Sequence, residues 1–244
     1  MTAALVGLAG AIALLLWGTH MVQTGVQRAF GPRLRALLGH ALRSPLRAFL
    51  AGAGVTTVLQ SSTATGLMVT GFAASGLVAL VPALAVMLGA NVGTTLIVQL
   101  LSFDVAIFSP LLVLIGVILF RRAAGAFLHD LGRVFIGLGL MLLALHQMLA
   151  LTAGQADAPG LRALLGAIAS VPLLDVLLAA IITWAVHSSV AVVLLVMSLA
   201  ARGIIPMEMA IALTLGANLG TSINPEIEGT TGQDPAAKRL PVGN

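Results

Sequence analysis

Apolar residues run in blocks along this chain, and the polar positions that interrupt them come in matched pairs. Ala3 to Val22 is the first block, about as long as a helix needs to cross a hydrocarbon layer at 1.5 Å per residue. The pattern predicts a spanning helix there. It has no positively charged stretch ahead of it, which favours a retained helix over a cleaved signal. Residues 23 to 47 follow with Arg28, Arg33, Arg35, Arg43, Arg47 and no acid, and Gly31-Pro32 and Ser44-Pro45 punctuate them. A short basic amphipathic surface helix is expected. From Leu46 only about fourteen apolar residues precede Gln60, too few for a span, so a re-entrant or broken helix is predicted. A second broken element is expected from Ala83 through Gly89-Ala90-Asn91-Val92-Gly93-Thr94-Thr95 to Leu101. After it come a helix over Val105 to Phe120, closed by Arg121 and Arg122, and a full span over Leu131 to Leu151.

The later half repeats the earlier one at an offset of 127 positions. Gln60-Ser61-Ser62 recurs as His187-Ser188-Ser189, and Gly89 to Thr95 recurs as Gly216-Ala217-Asn218-Leu219-Gly220-Thr221-Ser222. Pro45 and Pro172, Thr56 and Thr183, and Gly76 and Gly203 keep the same offset. The second unit therefore reads as Leu173 to Val186, the polar triplet, Val190 to Ala201, and Met207 to Ser222. Beyond Asn224-Pro225 the chain turns polar, with no counterpart to the apolar helix that follows the first unit, so it looks incomplete at its C-terminal end.

Composition turns these blocks into a class. Charged residues make up 8% of the 244 and hydrophobic residues 59%, against roughly 25% charged in soluble domains, and the mean hydropathy is +1.09. Too few charges remain to coat a soluble core of this size. The net charge of +4 comes from Arg at the flanks of apolar runs, which reads as membrane topology and not as a nucleic-acid surface. With Arg47 and Arg121 both cytoplasmic, and residues 152 to 161 external because they carry no basic side chain, the two units are inverted. The absence of Cys excludes disulfides, thiolate metal sites and cysteine nucleophiles. The expected fold is an all-α integral membrane protein with two inverted-topology repeats built on re-entrant or broken helices. Its parts are a spanning helix and basic surface helix (1–44), the first repeat (45–120), a connecting span and loop (121–171), the second repeat (172–224) and a polar tail (225–244).

A single Ser pair in a membrane helix usually serves packing. Here paired hydroxyls and a Gly-bounded Asn occur twice in one order, preceded by Gln60 in the first copy and His187 in the second, the pattern expected of a transporter site at the membrane midplane. Hydroxyl and amide donors, with the free N–H groups of half-helix N-termini, suit an oxyanion. Side-chain oxygens and unwound carbonyls suit a small hard cation such as Na+. No Lys or Arg lies within either centre, so co-bound cations would hold the anion, which favours symport. His187, in register with Gln60, would donate to an anion or couple binding to pH. His20, His40, His129 and His146 show no metal-ligand spacing, and Trp17 and Trp184 read as interface or packing residues.

Gln60-Ser61-Ser62-Thr63-Ala64-Thr65-Gly66, with the Gly-Ala-Asn motifs at 89 to 95 and 216 to 222, resembles the bacterial sodium-dependent phosphate cotransporters related to the type II Na+/phosphate transporters, over residues 45 to 225. The resemblance implies substrate contacts from Gln60, Ser61, Ser62, Thr63, His187, Ser188 and Ser189. It implies cation contacts from Gln60, Ser61, Asn91, Thr94, Thr95, Ser188, Asn218, Thr221 and Ser222. Thr63 stands where the family's signature often has a third Ser, and His187 stands for the second Gln. The function expected is Na+-coupled symport of inorganic phosphate by alternating access, with no cofactor beyond the coupling Na+. The expected setting is a multi-pass protein in the cell membrane, in contact with the lipid bilayer, free of nucleic acid and compatible with a homo-oligomer. Coupling to another oxyanion or to protons stays open, as does a truncated, non-transporting membrane subunit. An intramembrane Ser hydrolase is disfavoured, because adjacent residues on a helix point about 100° apart and His187 could not serve Ser188.

Overall fold

The computed structural model describes residues 2–102, 108–123, 125–152 and 171–230, and these form nine α-helices. In order they are α1 (Thr2–Ala41), α2 (Pro45–Leu59), α3 (Ser62–Ala74), α4 (Leu80–Ser102), α5 (Ser109–Arg122), α6 (Ala126–Thr152), α7 (Pro172–Val186), α8 (Ser189–Ala201) and α9 (Met207–Thr230). Among the described residues, three segments are long and apolar enough to cross a membrane: Val6–Ala41, Leu80–Leu101 and Ala126–Leu151. Large apolar side chains, among them Leu50, Leu88, Leu100, Ile181 and Ile211, face outward on several helices, as lipid contact requires.

The offset of 127 is a structural identity. α2 and α7 each run 15 residues from a proline at their N-termini, and α3 and α8 each run 13. At the junctions Gln60 (φ 52°, ψ 29°) and His187 (φ 57°, ψ 26°) are both left-handed, and Ser61 (φ −149°, ψ 103°) and Ser188 (φ −149°, ψ 102°) are both extended. One left-handed and one extended residue end the first helix and restart the second. Gly76 and Gly203 close the units with the same positive φ, 67° and 65°.

The glycines of the Gly-Ala-Asn motif serve a purpose other than the expected one. α4 is continuous from Leu80 to Ser102, and α9 runs unbroken through Asn218. A β-carbon on Gly89 would overlap the Phe49 carbonyl of α2, and one on Gly93 the Ala53 carbonyl. In the second copy Gly216 meets the Val176 carbonyl and Gly220 that of Ala180, again 127 positions on. The glycines thus let two helices touch backbone to backbone, and they leave the i→i−4 ladder intact.

Other boundaries also differ. Thr2–Ala41 is one helix of 40 residues with Pro32 inside it, so the separate basic surface helix does not exist. Pro32 removes one backbone donor, and the helix nevertheless continues past it to Ala41. α5 begins at Ser109, while Val105 lies outside the described residues. So do residues 153–170, including most of the expected external loop, and residues 231–244 of the expected tail; α9 continues through Asn224-Pro225 to Thr230.

α6 is more than a connector. α1 and α6 pack antiparallel: a β-carbon on Gly18 would sit 2.8 Å from the Gly137 carbonyl oxygen, and one on Gly25 would sit 2.8 Å from that of Asp130. Leu34-Arg35-Ala36-Leu37-Leu38-Gly39 near the end of α1 recurs as Leu161-Arg162-Ala163-Leu164-Leu165-Gly166, again at 127. The repeat therefore begins upstream of Pro45 and Pro172, with α1 and α6 as its equivalent first helices. Their antiparallel course is the relation that inverted repeats require.

Candidate functional site

The two helix breaks are built from local bonds. In the first, the Ser61 hydroxyl oxygen accepts from the Ala64 N–H at 3.1 Å and caps α3, while the Gln60 N–H donates to the Thr56 carbonyl at 2.7 Å. Thr56 donates its hydroxyl to Thr65 at 2.8 Å across the break, and Gln23 of α1 donates Nε2–H to the Gln60 carbonyl at 2.9 Å. In the second, Ser188 caps α8 by accepting from the Ala191 N–H at 3.2 Å. The His187 N–H donates to the Thr183 carbonyl at 2.9 Å as in the first copy, but the side-chain lacing is gone: Val192 stands in register with Thr65 and Ala150 with Gln23, and the buried Thr183 hydroxyl has no partner among the described residues.

Each break sets opposite partial charges side by side. The C-terminal carbonyls of α2 and α7 present the negative end of a helix dipole, and the N-termini of α3 and α8 present the positive end. The first-turn N–H groups of Ser62 and Thr63 have no acceptor within α3. Gln60 is buried, and its Oε1 has no hydrogen-bond partner among the described residues. An orphaned buried carbonyl oxygen beside helix-terminal carbonyls can accept a donor or a cation.

Between the repeats lies a cavity of about 260 Å³ lined by Ser62, Met87, Asn91, Leu215, Asn218, Leu219, Thr221 and Ser222. α3 of the first copy meets α9 of the second there, and α4 of the first copy contributes Met87 and Asn91. Five residues singled out in the sequence, Ser62, Asn91, Asn218, Thr221 and Ser222, come together at this place. Thr221 donates to the Ala217 carbonyl at 3.0 Å and Ser222 to the Leu219 carbonyl at 2.7 Å, which leaves hydroxyl lone pairs for a cation.

The others sit outside the lining. Gln60 and Ser61 form the break beside Ser62, and Thr63 is half-buried on the first turn of α3. Thr94 is buried and donates to the Ala90 carbonyl at 3.1 Å, and Thr95 is exposed and donates to the Asn91 carbonyl at 3.2 Å. Ser188 and Ser189 are buried. His187 is exposed, with Nδ1 3.3 Å from the Ala185 carbonyl oxygen and turned to no hydroxyl. Leu215 and Leu219 are cavity residues that sequence reasoning missed; their i, i+4 spacing around Asn218 was the available signal. Asp175 was missed as well. It is fully buried on α7 with both carboxylate oxygens unpartnered, where the first copy has the equally buried Ala48.

Residues 14–150 and 152–233 match the family described as Na+/Pi-cotransporter. The chain is 44% identical over 240 residues to the "Putative inorganic phosphate export protein YjbB" of Escherichia coli (strain K12), covering 98% of this chain and 44% of that protein. The same-named protein of Salmonella typhimurium matches equally. The "Uncharacterized protein YqeW" of Bacillus subtilis is 30% identical over 232 residues, 93% of this chain and 74% of that protein. The chain thus spans less than half the length of its YjbB relatives. No solved structure matches it.

Proposed function

Because the chain belongs to the Na+/Pi-cotransporter family, we propose that it carries inorganic phosphate across a cell membrane together with Na+, by alternating access of the cavity between its two repeats. One observation carries this reading: Ser62 from the first copy and Asn218, Thr221 and Ser222 from the second line a single space. A volume of about 260 Å³ exceeds the roughly 30 Å³ share of one water several-fold, which leaves room for an oxyanion and a desolvated cation together. In this scheme the N-terminus of α3, at Ser62, supplies donors to phosphate. Gln60 Oε1, the Asn91 and Asn218 side-chain amides and the Thr221 and Ser222 hydroxyls supply oxygens to Na+. With no Arg or Lys in the lining, bound Na+ provides the countercharge, so each ion needs the other. Rocking of one repeat against the other would open the cavity to alternate sides.

A coupled carrier runs in either direction, and ion gradients set the net flow. The name of the YjbB relatives supports outward movement in the cell as the second reading. Radiolabelled phosphate flux into proteoliposomes, with and without an imposed Na+ gradient, tests the proposal. Flux that follows the Na+ gradient supports it; flux equal to that of protein-free vesicles rejects it.

A further inference from the structure

A second and larger cavity, about 960 Å³, lies between the C-terminal half of α1 and α3. Its α1 wall carries Gln27, Arg35 and His40, with Arg43 on the turn that follows α1, and its α3 wall carries Leu67, Met68 and Phe72. Ala64, whose N–H caps on Ser61, sits at its inner end, so the cavity starts at the first helix break. At 1.5 Å per residue it follows α3 for about 12 Å to Phe72, where Gly39 of α1 closes against the ring. The cleft is electropositive by composition. The first 103 residues contain no Asp or Glu, and neither Arg35 nor Arg43 has a carboxylate partner among the described residues. Two exposed guanidiniums without a carboxylate partner among the described residues, in a cleft with an apolar opposite wall, offer bidentate donors to an anion.

We propose that the α1–α3 cleft is a separate phosphate-group site, an antechamber in which Arg35 and Arg43 hold the anion before it reaches the uncharged break at Ser61-Ser62. The assignment deepens the transport reading and rests on phosphate being the cargo. It also resolves a difficulty in that reading, since a midplane cavity without cationic side chains does little to draw a doubly charged oxyanion out of water. Charge focused in a cleft raises local anion concentration and capture rate by about 10- to 1000-fold, and salt screens the effect over a Debye length of about 10 Å at 0.1 M. The same chemistry fits the phosphodiester of an anionic lipid with its chains on Met68 and Phe72, and the test separates the two sources.

The chain has no native Cys, so Ala36→Cys places one thiol on the exposed cleft wall. The rates at which anionic and cationic methanethiosulfonates modify it are compared in the purified full chain, without and with Arg35→Gln/Arg43→Gln. The anionic reagent should be favoured by about tenfold or more at low salt, and the double substitution should erase that preference. Arg47→Gln, exposed but outside the cleft, should leave it intact. Millimolar inorganic phosphate should slow labelling in zwitterionic vesicles if the ligand is the free anion. Slowing that requires phosphatidylglycerol instead assigns the site to a lipid headgroup. A preference insensitive to the two arginines, or labelling unaffected by both phosphate and anionic lipid, overturns the proposal. Because labelling needs no transport, absence of phosphate flux with protection intact would refute the transport reading alone.

Discussion

Thr56 donates its hydroxyl to Thr65 at 2.8 Å, tying the last turn of α2 to the first turn of α3 across the left-handed Gln60. The second copy keeps the donor, Thr183, and has Val192 in place of the acceptor, so the buried Thr183 hydroxyl is unpaired. The first break is therefore laced and the second is not. Thr65→Val should destabilise the protein by about 1–3 kcal/mol through the orphaned Thr56, and Val192→Thr should recover on the order of 1 kcal/mol. Thermal unfolding of the two variants in detergent checks both signs; a loss on Val192→Thr would show that Thr183 is served some other way.

The glycines give a second stability contrast. Gly89→Ala and Gly216→Ala each push a methyl group into a carbonyl of the neighbouring helix, and overpacking of this kind costs about 1–3 kcal/mol. Gly54 has nothing within 4 Å of its would-be β-carbon, so Gly54→Ala should be silent or mildly stabilising. Equal losses at 89 and 216, read from unfolding temperatures beside an unchanged Gly54→Ala, confirm that the motif serves packing in both copies.

Asp175→Ala should insert normally and melt at the same temperature or higher. The change removes a fully buried carboxylate that has no partner among the described residues and installs the residue that the first copy carries in the same place, Ala48. A marked fall in unfolding temperature would reveal a native contact for the carboxylate.

Inverted repeats place equivalent positions on opposite sides of a membrane. Ser44 and Val171 precede the prolines that open α2 and α7. Ser44→Cys and Val171→Cys, probed with an impermeant thiol reagent in sealed vesicles, should label from opposite faces; labelling from one face contradicts the inversion.

The breaks were legible because a polar side chain followed by paired serines interrupts a short apolar run twice at one offset, and Gln60 and His187 fall where that pattern ends a helix. The Gly89 and Gly93 region was misread because a glycine pair is the same in sequence whether it breaks a helix or lets a neighbour approach. Only the facing carbonyls of Phe49 and Ala53 decide it. Pro32 misled as well: Gly31-Pro32 reads as a boundary in sequence, yet α1 continues through it to Ala41. The recurrence of Leu34–Gly39 at 161–166 is also in the sequence, but a Leu- and Ala-rich hexapeptide marks a repeat less sharply in an apolar chain than Pro45 and Pro172 do. Which nominated side chains share a cavity depends on how two distant units meet, and a chain with 3.6-residue periodicity does not encode that contact locally. Asn91 and Asn218 therefore join Ser62, while His187 turns outward.

The claim that one site is assembled from both copies is tested most directly by equilibrium binding of radiolabelled phosphate to the purified chain across a Na+ series. Ser62→Ala, which alters the first repeat, and Asn218→Ala, which alters the second, are measured alongside the wild type. The account predicts phosphate affinity that rises with Na+, and a loss of about tenfold, or 1.4 kcal/mol, for either substitution in a protein that still folds. Phosphate binding that ignores Na+, or that survives both substitutions unchanged, would contradict it.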